Sequence, residues 1–200
     1  MGFQLRCTLG AEVSVPHVRS LAPPDPPLKD GELLLRPSRD ADAPTIRAIY
    51  SEFDIRRWMG WDDQLPDEAE AQANIDRAAR AWEEGTWAVF RIADAATDEV
   101  IGGVNLRLGH YDIAEISYLL RASARGRGLA TRAVQLVARW AFDDLGIERI
   151  ELRVHPENAP SRRLAERAGF TREAVERASR VWPDGTRYDS IVYSLLRTDS

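Results

Sequence analysis

The stretch RASARGRGLATRAV, residues 121–134, places four arginines, two glycines and no acid within the positions from Arg121 to Arg132. The chain around it is acidic, with a formal net charge of −5 over 200 residues. A local cluster of cations in such a chain predicts a bound anion. The stretch follows AEISYLL, residues 114–120, an apolar run of strand character, and it opens a helical pattern from about Gly128 to Leu145 that Gly146 closes. A strand therefore turns through Gly126 and Gly128 into a helix N-terminus. Free N–H groups and about half a unit of positive charge gather there, and together they bind phosphate. Glycines let the main chain approach the anion closely and adopt conformations barred to other residues. A helix-start turn with solvated arginines is the plainer reading of the same residues.

Outward from this stretch the pattern is regular. On the N-terminal side, ELLLR (32–36) reads as a short strand, and SRDADAPTIRAIYSE (38–52) offers Ser38 or Asp40 as the cap of a helix. A second helix spans about Asp67 to Glu84 and stops at Gly85. TWAVFRIA and VIGGVNLRL supply two strands before AEISYLL. On the C-terminal side come the strand RIELRV, the short helix PSRRLAERA ended by Gly169, and two strands joined by the turn WPDGTR. The order β-α-α-β-β-β-α-β-α-β-β predicts an α/β fold in which a mixed sheet carries helices on both faces. Residues 1 to about 30 end in APPDPPLKDG and read as an extension or linker, which leaves one globular domain over residues 31–200.

Composition narrows the function. Net acidity argues against a nucleic-acid partner held by overall charge. One cysteine, Cys7, and three scattered histidines predict neither a disulfide framework nor a metal site. The absence of an apolar run of membrane-spanning length and of a secretory signal predicts no membrane association and a cytoplasmic location. Met1-Gly2 lacks the Ser or Thr that myristoylation requires, because Arg6 stands there. Two phosphate-binding motifs fail. A Walker loop needs Gly-Lys-Ser/Thr, but the only lysine is Lys29; the dinucleotide fingerprint needs Gly or Ala where Thr131 stands.

Arg125-Gly126-Arg127-Gly128-Leu129-Ala130 instead matches R/Q-x-x-G-x-G/A, and on it the chain resembles the GNAT superfamily of acyl-CoA-dependent N-acyltransferases. The resemblance runs from Leu28 to about Arg197 and is to the RimJ/RimL-like branch. LKDGELLLRPSRDADAPTI is similar to its first strand and helix, AEISYLLRASARGRGLATRAV to its fourth strand and phosphate loop, and VHPENAPSRRLAERAGF to its fifth strand and CoA-flanking helix. It implies the GNAT fold, a mostly antiparallel mixed sheet with splayed central strands. The implied co-substrate is acetyl-CoA or another acyl-CoA such as succinyl-CoA, with no metal. The acceptor is an amine of a protein N-terminus or small molecule, and the assembly a homodimer using the strand DSIVYSLL. A GNAT-shaped module that binds acyl-CoA without turnover is the alternative.

The resemblance also implies roles for particular residues. Main-chain groups of Leu119, Leu120 and Arg121 run beside the pantetheine arm, with the N–H of Leu119 polarising the thioester carbonyl. The amides of Arg125, Gly126, Arg127, Gly128, Leu129, Ala130 and Thr131 hold the pyrophosphate. The side chains of Arg121, Arg125 and Arg127 reach for the 3′-phosphate or face water. Asn158 bonds the pantetheine, or caps the helix before Pro160. Ser161 protonates the departing CoA sulfur and Glu115 serves as general base; their plainer readings are a helix cap and an ion-pair partner. Strand alternation puts Ser117 and Leu119 on the face of Glu115. The chain departs from its branch near Ala178 to Arg180, where a glutamate is replaced. Trp58, Met59 and Trp61 of RRWMGW, with Tyr118 and Tyr188, are the expected acceptor-pocket walls.

Overall fold

The computed structural model describes residues 21–60 and 65–199. Its strands are β1 (Leu28–Asp30), β2 (Leu33–Arg36), β3 (Trp87–Asp94), β4 (Val100–Leu108), β5 (Ile113–Leu120), β6 (Arg149–Val154), β7 (Thr171–Val181) and β8 (Arg187–Leu196). The helices are α1 (Ala43–Tyr50), α2 (Phe53–Met59), α3 (Glu68–Glu83), α4 (Leu129–Asp144) and α5 (Ala159–Arg167). All eight strands form one sheet in the order β1-β2-β3-β4-β5-β6-β8-β7. Neighbouring strands are antiparallel except β5 and β6. That single parallel junction is where α4 crosses over.

Alternation within β5 decides which helices cover which face. Ala114, Ile116 and Leu120 pack into the main core with Leu129, Ala133, Val134 and Val137 of α4 and with Leu164 and Ala165 of α5. Leu119 points the other way and packs with Ile49 of α1, Ile55 of α2 and Val100 of β4. Alternating burial in RIELRV has the same cause: Ile150, Leu152 and Val154 enter the core, leaving Arg149, Glu151 and Arg153 on the opposite face.

Four details depart from the sequence reading. The sheet begins at Leu28, inside the segment read as linker, and Leu21 is buried in the main core. Residues 53–59 form a helix of their own, α2, too short for its period to be seen; Gly60 ends it at φ +66°, a left-handed conformation suited to glycine. Neither Ser38 nor Asp40 caps α1. Asp42 occupies that position with its carboxylate turned to the buried Arg36, bonding both terminal nitrogens at 2.8 and 2.9 Å. A buried guanidinium without a carboxylate would be costly, so the ion pair takes the residue that would otherwise cap the helix. Finally, DSIVYSLL (189–196) is not an edge. It lies in β8 between β6 and β7, and the edge strand at that end of the sheet is β7, with β1 at the other.

Candidate active site

The reactive geometry starts where β5 and β6 separate. They pair only from Ile113–Glu115 to Arg149–Glu151; beyond, residues 116–120 and 152–154 diverge. Two bonds fix which main-chain groups line this opening. Gly109 N–H donates to Ile113 C=O and Arg121 N–H to Ile101 C=O, each at 2.9 Å. Antiparallel strands alternate bonded and non-bonded pairs, so in β5 the main chains of residues 113, 115, 117, 119 and 121 turn toward β4. The close approach of Leu119 C=O to Gly102, where a Cβ would stand 2.4 Å from that oxygen, agrees with this. Main-chain groups of Ile116, Tyr118 and Leu120 therefore face the opening. The expectation for Leu119 and Arg121 shifts by one residue, because register and not residue type sets the direction of an N–H.

Both glycines of the loop adopt left-handed conformations. Gly126 has φ +82° and Gly128 φ +75°, and no neighbouring atom lies within 4 Å of where a Cβ would stand at either. Gly128 is the N-cap of α4, and no side chain bonds the helix start. The first-turn amides of Leu129, Ala130 and Thr131 have no intrahelical acceptor, so a backbone cradle for an anion is open. Arg125 N–H already donates to Ala122 C=O at 3.2 Å. The arginines are not free cations. Arg121 meets Glu99 at 2.5 Å, Arg125 meets Asp54 at 2.8 Å and Glu52 at 3.6 Å, and Arg132 meets Asp30 at 2.8 Å; Arg127 pairs with Glu32. The positive excess seen in the sequence is cancelled by acids from β1, the β1–β2 turn, the β3–β4 connection and the start of α2. The two glycines and the uncapped first-turn amides thus fit a pyrophosphate through the main chain.

Across the opening, the hydroxyls of Tyr118 on β5 and Ser161 on α5 lie 2.8 Å apart. Burial pushes the Tyr118 hydroxyl up to about 12, the bond to Ser161 opposing it in part. It stays protonated at neutral pH and can donate. Asn158 accepts the Ser161 N–H at 3.1 Å and caps α5, which fixes where the Ser161 side chain begins. Tyr118 thus faces α5 rather than the acceptor side.

Glu115 occupies the other face. Its carboxylate accepts bonds from Arg107 at 2.8 Å, Arg153 at 3.1 Å and Arg180 at 2.7 Å. Burial alone would raise its pKa, but the three guanidiniums outweigh burial and lower it. A carboxylate held this way is a poor acceptor for an ammonium proton. Arg180 belongs to the stretch Ala178 to Arg180 in which the resemblance implies a replaced glutamate, and it brings a cation to Glu115.

Of the expected acceptor walls, Trp58 and Tyr188 come together through His155, a residue the sequence reading did not select. Ring centroids are 5.4 Å apart for Trp58 and His155, and 5.0 Å for His155 and Tyr188. Trp182 joins them, stacked on Tyr188 at 4.3 Å. Met59 is exposed, and Trp61 lies outside the described residues. His155 continues the alternation Arg149-Glu151-Arg153, a signal that was present in the sequence.

A splayed pair of strands, a glycine-started helix between them and a hydroxyl pair across the gap define a class: enzymes that hold a phosphate-bearing acyl donor in the sheet and pass its acyl group to a nucleophile. The comparisons identify the family. Residues 32–171 match the acetyltransferase (GNAT) domain. The N-acetyltransferase YoaA of Bacillus subtilis is 30% identical, over 86% of this chain and 97% of its own length. Mycobacterium smegmatis RimJ, solved with CoA-disulfide, superposes with a TM-score of 0.71 at 24% identity, over 82% of this chain and 81% of that one. The microcin C7 self-immunity acetyltransferase MccE, solved with acetyl-CoA and AMP, gives a TM-score of 0.76 at 20% identity, over 88% and 98%. This chain belongs to the GNAT acetyltransferase family and is an acyl-CoA-dependent N-acetyltransferase. These relatives do not favour the non-catalytic alternative.

Proposed function

We propose that the enzyme transfers an acetyl group directly to a primary amine in a ternary complex, the acceptor being a peptide N-terminus or a small molecule. The observation that carries this reading is the Tyr118–Ser161 hydroxyl pair, which links β5, where it parts from β6, to the helix that follows β6. Acetyl-CoA supplies an activated acyl group. The first-turn amides of α4 hold its pyrophosphate, and main-chain groups of Tyr118 and Leu120 run beside the pantetheine and polarise the carbonyl. As the C–N bond forms and the C–S bond breaks, the nitrogen loses a proton to solvent and Ser161 gives one to the leaving sulfur; the Tyr118 hydroxyl stabilises the Ser161 oxygen by hydrogen bond, and solvent returns the proton to Ser161. Asn158 positions Ser161. Following free thiol with acetyl-CoA, succinyl-CoA and a panel of amines tests the reading; turnover of succinyl-CoA in preference would reassign the donor.

The amine must arrive neutral. About one α-amine in ten is neutral at pH 7, against roughly one lysine in a thousand, which favours an α-amine where no strong base is at hand. Glu115 is assigned to organising Arg107, Arg153 and Arg180 on the acceptor face, not to abstracting the proton. Glu115→Gln is therefore expected to keep turnover within about tenfold and to give a pH–rate profile parallel to wild type. Stability provides a second readout. A carboxyl lowered by folding stabilises above its unfolded pKa, near ~4.3, and that contribution disappears as pH falls through the folded value. Glu115→Gln should accordingly flatten the acid limb of the stability curve. A large loss confined to low pH and recovered toward the amine's own pKa would restore Glu115 as the base.

A homodimer joined along the exposed edge strand β7 is part of the same proposal. The strand runs through 11 residues with its outer side free among the described residues, and Val175 and Val181 are 45% and 51% exposed. Light scattering that returns the 22.5 kDa monomer mass over a wide concentration range would refute it.

A further inference from the structure

The rings of Trp58, His155, Trp182 and Tyr188 meet on the Glu115 face, at the open end of β6. Trp182 and Tyr188 stack with their planes 24° apart, and His155 stands 5.7 Å from Trp182 at 34°. Trp182 also rests on Gly60, where a Cβ would lie 2.2 Å from its ring. All four side chains are half-buried, whereas Phe90, Trp82 and Trp140 form an aromatic group inside the main core. The cluster joins α2 to the β7–β8 hairpin beside the reaction opening, and it leaves ring surface accessible there.

Two ligand chemistries suit aromatic rings. A cation takes the open face of a ring, and over Trp58 Arg57 already holds that place. Here ring centroids 4.3–5.7 Å apart occupy one another's faces, and near-parallel Trp182 and Tyr188 form a slab that a further flat ring extends. The surrounding charge points the same way. Four carboxylates of the strands on this face each have an arginine: Glu115 has Arg107, Arg153 and Arg180; Glu151 has Arg149 and Arg153; Glu173 has Arg149; Glu176 has Arg153; Asp184 and Glu157, at the ends of the cluster, have no such pair among the described residues. Arg57 lies over Trp58 at 4.9 Å, adding a further cation at the rim. A polycation therefore meets mostly paired acids here, with Asp184 and Glu157 as single exposed carboxylates at the margin.

We propose, resting on the acetyl-transfer reading, that the acceptor amine is carried on a flat aromatic or heteroaromatic group that stacks on this cluster, and that polyamines and aminoglycosides are poor acceptors. Phenylalaninamide and cyclohexylalaninamide test this, because they match in size and α-amine basicity but only one has a flat π-face. With acetyl-CoA the aromatic member is expected to show kcat/KM at least about fivefold higher, and above spermidine and kanamycin. Trp182→Leu should bring the ratio of the pair toward one by raising KM for phenylalaninamide. Calorimetric binding of both amides to the CoA-bound protein separates the two proposals. Equal affinities and equal kcat/KM, or a preference for spermidine, overturn the aromatic assignment. A retained aromatic preference in binding with no thiol release supports it and overturns the transfer reading alone.

Discussion

Ser161→Ala should lower turnover by roughly 10²–10⁴-fold while acetyl-CoA affinity stays near wild type, because a proton donor to the leaving sulfur acts in the transition state and contributes little to ground-state binding. The structure sharpens this expectation. Tyr118 lies 2.8 Å from Ser161, its hydroxyl held protonated by burial, so the two form one donor unit. Tyr118→Phe should lose less than Ser161→Ala, and the double variant little more than Ser161→Ala alone, since groups acting in series are not additive. The pH dependence of each loss should be shallow across neutral pH, as neither hydroxyl titrates there. Steady-state kinetics with any turned-over amine provides the check. Wild-type turnover in a folded Ser161→Ala protein would leave positioning alone as the source of catalysis.

Gly128→Val should weaken CoA binding by more than tenfold, or about 1.4 kcal/mol, with the fold retained. The cause is conformational. Gly128 sits at φ +75° with open space around a would-be Cβ, so the valine meets no neighbouring atom but must hold a left-handed backbone that β-branched residues resist. Relaxing that strain swings the start of α4, and with it the amides of Leu129, Ala130 and Thr131, away from a common centre. Calorimetry against CoA, alongside a thermal melt to verify folding, reads the effect. Near-normal affinity in the folded variant would remove the phosphate-loop assignment. Because each loop arginine already has a carboxylate partner, the main chain has to carry most of this affinity, and neutralising Arg127 is the weaker perturbation by comparison.

What could be read directly from the sequence was local. Positive-φ glycines before a helical pattern, alternation in AEISYLL and RIELRV, and a turn at WPDGTR are each settled by residues close in the chain, and they delivered most strands, the main crossover helix and the glycine-capped start of α4. Short elements escaped. β1 spans three residues and α2 seven, too few for a period to rise above composition, and each is held by tertiary neighbours instead.

At the site, the sequence by itself determined the two positive-φ glycines and the helix start behind them, because a backbone cradle needs no more than these. Only the tertiary structure decided the rest. The ionisation of Glu115 depends on Arg107, Arg153 and Arg180, which lie 8, 38 and 65 positions away and meet it because β4, β6 and β7 converge on one face. The partner of Ser161 is 43 positions off, across the opening. Which N–H groups face that opening follows from strand register, a pairing between chains of residues that no single strand contains. Electrostatic and hydrogen-bond energies act through distances of a few ångströms, and those distances exist only once the sheet has brought remote residues together.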